Sequence, residues 1–229
     1  MAKRKKANPW DAVFGTLEFA HAEDGVPVRT SDTELDAFST RIGHRLPESY
    51  RVFLRRYGPG WIHHRIKLLS PLPKPLQHHD LFRNTDERRW LYGEELAASV
   101  PDPELMRRAV YFADNDYGDD YFWDPGEVTA RSSCEYRIYW IMCRSTNPEP
   151  IANSFADFVL WVDQWLRREL AESEFEPTSA GIPFAPSKIQ TKRCPDQKSR
   201  AAWLAFNNHT ARDLARAIRN EGRTEAFPI

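Results

Sequence analysis

The 229 residues are 41% hydrophobic and 13% aromatic, which suffices for a sizeable core in one domain and is too apolar for a disordered chain. The 32 basic residues nearly cancel the 33 acidic ones, for a net charge of -1, so no whole-molecule pull toward nucleic acid or membrane exists and electrostatic function must come from local clusters. No stretch reaches the roughly 18 uninterrupted apolar residues of a membrane span; the richest, 155–166, is broken by Asp157, Asp163 and Gln164.

The first residues carry four consecutive bases, Lys3 to Lys6, with no apolar run or small-residue cleavage site behind them. A solvated tail is expected, and no export signal is visible. Four charges support only weak, salt-sensitive nucleic-acid contact, and no direct nucleic-acid partner is expected. Trp10, Val13, Phe14, Leu17 and Phe19 complete an apolar segment within 1–30. Ser31 or Asp32 can cap a helix over Thr33–Ile42, in which Leu35, Phe38 and Ile42 recur at helical spacing and Gly43 marks the end. Pro47 suits a first helical position, and Tyr50, Phe53, Leu54 and Tyr57 form a stripe that Gly58-Pro59-Gly60 stops.

Residues 61–72 alternate well enough for one or two strands. Asp80–Glu95 reads as a polar helix or turn, and Asp102-Pro103-Glu104 starts a short helix. Val110–Ala113, an acidic turn and Tyr121–Trp123 carry a hairpin signature; Pro125-Gly126 should turn the chain before a short strand at Glu127–Ala130. Tyr136–Cys143 is aromatic and β-branched enough for a central strand. Ser154 with Asp157 opens the clearest helix, whose face is Phe155, Phe158, Val159, Val162, Trp165 and Leu166. Leu160 and Trp161 fall off that stripe, either as a second packing surface or as an exposed partner contact. Residues 177–186 read as an extended linker and a domain boundary. Beyond it, Ser199–Phe206 and Ala211–Asn220 are predicted helices whose stripe Trp203, Phe206, Leu214 and Ile218 is too short for its own core and should dock on the main body or a partner.

The expected class is therefore α+β: a twisted, largely antiparallel sheet with flanking helices and a C-terminal helical extension, divided as 1–30, 31–176 and 177–229. Cys134, Cys143 and Cys194 are odd in number and widely spaced, which argues against a disulfide framework or thiolate zinc site and suits a reducing cytoplasm. His63-His64 and His78-His79 offer one ligand per strand face, and no carboxylate spacing completes a metal site. A calcium loop counted from Asp114 puts Gly118 one position early and Pro125 where a bidentate carboxylate is needed. With no phosphate loop, dinucleotide fingerprint or nucleophile elbow, neither an enzyme nor a cofactor is expected, although a carboxylate pair assembled by folding stays conceivable.

Four passages resemble the SUKH superfamily, which groups fungal cell-wall-assembly regulators with many bacterial immunity proteins. They are Leu35–Gly43 running into Leu46-Pro47-Glu48-Ser49-Tyr50-Arg51-Val52-Phe53-Leu54; Tyr57-Gly58-Pro59-Gly60; Val110–Ala113 with Gly118-Asp119 and Tyr121–Asp124; and Ile151–Phe158. Pro59 departs from the family's paired glycines, and the resemblance says nothing about 177–229. It implies a cytoplasmic, non-enzymatic protein that binds and neutralises a cognate toxin domain, such as a nuclease; the alternative is a regulatory scaffold recruiting cellular partners. The strongest local charge is Asp114, Asp116, Asp119, Asp120, Asp124 and Glu127, with no base among 111–127. These acids would steer a basic partner, or serve turn geometry and solubility, or both. The partner-binding candidates are thus Asp114, Asp116, Asp119, Asp120 and Asp124, with Trp61 and Trp161 as aromatic contacts.

Overall fold

The local signals at Ser31 and Gly43 act together. Ser31 Oγ accepts from Glu34 N while Glu34 reaches back to Ser31 N at 2.7 Å, and Gly43 ends the helix at φ 74°. The computed structural model describes residues 9–19, 26–71, 80–143, 145–172, 182–186 and 188–189. The helices are α1 (Asp11–Phe14), α2 (Asp32–Ile42), α3 (Glu48–Tyr57), α4 (Leu81–Trp90), α5 (Pro103–Arg108) and α6 (Phe155–Glu172). α4 runs on into a π-helical turn, Leu91–Glu95. The strands are β1 (Leu17–Phe19), β2 (Val26–Pro27), β3 (Gly60–Ile62), β4 (Ile66–Leu68), β5 (Val110–Asn115), β6 (Asp120–Ala130), β7 (Glu135–Ile141), β8 (Glu149–Ala152), β9 (Ile182–Pro186) and β10 (Lys188–Ile189).

Eight strands form one sheet in the order β1-β9-β3-β4-β5-β6-β7-β8, antiparallel throughout except for the parallel pair β1/β9; β2 and β10 form a separate two-stranded ribbon. This is the expected α+β class. Helices lie on both faces. On one, α3 and α6 press Tyr50, Phe53, Phe155 and Phe158 onto Phe112 and Trp123, with ring centroids 4.9–6.0 Å apart. All six side chains are fully buried, and rings at these separations add edge-to-face and offset contacts to the area they bury. On the other face α4, the π-helical turn and α5 cover Tyr111, Phe122 and Ile141. Residues alternate between two cores along the middle strands because both sides of a strand are covered there.

Three sequence expectations change. Pro125-Gly126 does not end a strand: β6 continues through both, and its pairing with β7 slips between Trp123 and Val128, a bulge that accommodates a proline with no N–H to donate. β7 is next to the sheet's β8 edge rather than central, since β8 is its only neighbour on that side. The segment read as linker supplies β9, inserted between β1 and β3 with Ile182 and Phe184 buried. Its short apolar run, interrupted by Pro183 and ended by Pro186, carries too little periodicity to be read as a strand. The predicted helices at 199–206 and 211–220, and His78-His79, lie outside the described residues.

Candidate partner-binding surface

Strand register gathers three turns at one end of the sheet. Ile66 pairs with Asn115 and Asp120 with Ile141, so the β3–β4 turn (63–65), the β5–β6 turn (116–119) and the segment after β7 (142–143) sit side by side. α6 starts at the far end, beside β8, and runs back, which places Trp161 to Arg167 over the same end. The contact that proves it is His63 Nε2 to Asp163 Oδ1 at 2.7 Å.

The β3–β4 turn is an unusual piece of backbone. His63 and His64 have φ of 50° and 55°, and Arg65 N donates to Ile62 O at 3.0 Å. Two positive φ values suit a tight hairpin turn that is normally filled by Asn-Gly, and each costs a side-chain-bearing residue on the order of 1 kcal/mol or more. The half-buried His63 offsets that strain by hydrogen bonding to Asp163, which also accepts from Arg167 Nε at 2.9 and 3.0 Å. Burial lowers the pKa of His63, against the upward pull of Asp163. His64 and Arg65 stay exposed. Arg65 hydrogen-bonds the Tyr117 hydroxyl with its guanidinium 5.5 Å from that ring, which ties two of the turns together.

Aromatic side chains fill the rest of this end. Trp161 and Trp165, one helical turn apart, stack at 5.6 Å and 10°; Trp140 of β7 lies 5.8 Å from each, and Tyr121 lies 6.3 Å from Trp161. The three tryptophans are half-buried. Trp161 is therefore a packing residue that still presents part of its ring to solvent. Tyr117, 62% exposed, and Met142, 49% exposed, are large side chains at the same end of the sheet that present much of their surface to solvent. Sequence reasoning misses both, because each follows a strand and belongs to no periodic stripe. Helical periodicity puts Trp165 on the core face of α6, and the strand pattern gives Trp140 no face.

The acids do not form the expected uncompensated face, and that reading is corrected. Asp120 is fully buried and accepts from Arg88 Nε at 2.8 Å and the Tyr92 hydroxyl at 3.0 Å. Asp124 accepts a two-pronged contact from Arg108 at 2.7 and 2.8 Å and also the N–H of Gly126. Asp114 pairs with Lys67 at 2.7 Å. Asp119 accepts from Asn115 Nδ2 at 2.8 Å and Cys143 N at 2.7 Å, fastening the β5–β6 turn to the segment after β7. Burial raises Asp114 to about 6, against the pull of Lys67, and raises Asp120 against Arg88. The cations come from β4, α4 and α5, so a window confined to 111–127 shows acids without their partners. Asp116 alone of the five is exposed. Trp61 is on the opposite sheet face from α6, between Ala185 and Lys67, whose ammonium lies 5.9 Å from the ring. The structure does not bring it near Trp161.

Among the described residues no group of three His, Cys, Asp or Glu side chains is placed to hold a metal ion, and no helix is long and apolar enough to cross a membrane. A family model described as SMI1 / KNR4 family (SUKH-1) matches residues 29–161. Comparison with the curated proteins and with the solved structures finds no match.

Proposed function

The chain belongs to the SMI1 / KNR4 family (SUKH-1), and from that premise we propose that it is an immunity protein that binds a cognate toxin domain through the turn-bearing end of its sheet and blocks the toxin's active site or substrate access. The family includes toxin immunity proteins and fungal regulators. One observation carries the choice of surface: exposed Tyr117 and Met142 stand at the same end of the sheet as half-buried Trp140, Trp161 and Trp165. Tight interfaces concentrate their binding energy in a few such aromatic and methionine contacts. The rigid frame supports the same reading, because His63–Asp163, Arg65–Tyr117 and Asp119–Cys143 hold the turns in place before any partner arrives, which lowers the ordering cost of association. Exposed Asp116 and Arg65 give the rim one charge of each sign.

The test is to co-express the protein with toxin domains encoded by neighbouring genes, scored by survival and by isolation of a complex. Met142→Ala alters an exposed side chain that makes no hydrogen bond among the described residues, and should leave the melting temperature unchanged while weakening the complex roughly tenfold or more. Tyr117→Phe, which keeps the ring and drops only the Arg65 hydrogen bond, should weaken it less than Tyr117→Ala. Survival without any complex rejects occlusion. Capture of several unrelated cellular proteins through this surface, with no protection against the toxin, would instead favour a regulatory scaffold.

A further inference from the structure

A second feature lies at the opposite edge of the sheet, where α1, the end of α3 and the strands β1 and β9 meet. A cleft of about 400 Å³ opens there, with Phe14, Leu17, Tyr57 and Pro186 as its apolar wall and Arg29 and Arg56 as its polar one. That volume falls within the range of small-ligand sites, which pair apolar walls with a few convergent polar groups. No acidic side chain is among its described lining residues.

The frame is fixed. Tyr57 donates its hydroxyl to Phe14 O at 3.0 Å, locking two walls together. Residues 28–30 lie so close to the end of α3 that a Cβ on Gly58 would come within 1.7 Å of Val28 O, and Thr30 N donates to Leu54 O at 3.2 Å. Arg29 thus projects from rigid backbone. Its side chain is exposed and has no hydrogen-bond or ion-pair partner among the described residues. Arg56 pairs with Asp11 at 3.0 Å, but both side chains are about half exposed, at 50% and 53%, and such a pair is readily exchanged for a better-desolvated anion.

We propose that this cleft binds an apolar carboxylate, with its aromatic or aliphatic body against Phe14, Leu17, Tyr57 and Pro186 and its carboxylate held by Arg29 and Arg56. Guanidinium groups recognise planar carboxylates through paired N–H donors. The carbonyl end of α3 beside the cleft carries partial negative charge, which opposes any anion and opposes a phosphate dianion more than a monoanion, so the two arginines must outweigh it. The site is separate from the tryptophan-bearing end and does not depend on the toxin-binding reading.

Calorimetric titration of the full chain tests it with four probes: N-acetyl-leucyl-phenylalanine, its C-terminal amide, octanoate and inorganic phosphate. The peptide acid or octanoate should bind, and whichever binds more tightly identifies a polypeptide end or a free acyl chain as the source. The amide should bind at least tenfold more weakly, because a charge-assisted contact is lost. Arg29→Gln and Arg56→Gln should each weaken the acid by roughly tenfold while leaving the melting temperature unchanged, and Arg168→Gln, a distant exposed arginine, should change nothing. Equal affinity for acid and amide, no binding of either carboxylate, displacement by phosphate, or an equal loss in the Arg168 variant would each overturn the proposal.

Discussion

Glu135 on β7 joins the starts of two helices through one carboxylate, and its removal should be among the costliest single changes in the protein. Its Oε1 accepts from Ser49 N at 2.9 Å; its Oε2 accepts from the Ser49 hydroxyl at 2.7 Å and from Phe155 N at 3.4 Å. The residue is 3% exposed, so Glu135→Ala leaves two backbone N–H groups and a hydroxyl without an acceptor in the interior. Each orphaned donor costs about 1–3 kcal/mol, with the long Phe155 contact at the low end. The carboxylate's own desolvation, which raises its pKa, is relieved on deletion and offsets part of that sum. The expected net loss is about 3–5 kcal/mol, a large share of a typical domain's total stability. Glu135→Gln keeps an acceptor and should lose less, about 1–2 kcal/mol. Urea unfolding followed by far-UV circular dichroism measures both, and a loss below about 1 kcal/mol for the alanine variant would refute the idea that this carboxylate fastens α3 and α6 to the sheet.

Phe158 is fully buried against Phe112, Tyr121 and Phe155, so Phe158→Ala should cost about 3–5 kcal/mol in the same assay, and a loss under about 1 kcal/mol would mean that this face of α6 is not core. Asp114 is held at about 6 in the fold, above its ordinary 3.8; the folded state therefore keeps the proton longer, and the stability this group contributes at low pH is lost as pH rises through 6. At about 1.4 kcal/mol for each pH unit between those two values, the stability of Asp114→Asn relative to the parent should grow by up to about 3 kcal/mol between pH 4 and pH 7.5, and a flat difference would refute the assignment. Ending the chain at Glu176 rather than Ile189 removes β9 and β10, uncovers the β1 and β3 edges and the cavity left by Ile182 and Phe184, and should produce dye binding and aggregation; equal melting temperatures for the two truncations would show that these two strands add nothing.

The legible parts of the sequence were those in which a residue acts on its own neighbours. Ser31 with Glu34, Gly43, Pro47, Asp80, Asp102 and Ser154 serve helix starts and stops within four residues along the chain, and the stripes of α3 and α6 repeat at helical period, so element type and inward face follow from local chemistry. The β5–β6 hairpin was legible for the same reason, since the Asn115 side chain accepts from the N–H groups of Tyr117 and Asp119 inside its own turn. The family passages are these local signals taken in order.

Only the tertiary structure could decide which distant residues meet. The acids of 114–124 look unpaired in sequence because Lys67, Arg88 and Arg108 reach them from other elements, which turns a supposed uncompensated face into ion pairs with Asp120 and Asp124 buried. Glu135 reads as an ordinary strand residue until Ser49 and Phe155 arrive from two helices. β9 is a short run carrying two prolines that becomes a strand because β1 and β3 present open edges on both sides of it. Capping and periodicity operate over a helical turn and therefore leave a mark in the sequence, whereas pairing, burial and charge compensation depend on groups far apart along the chain, brought together only by the order of strands in the sheet.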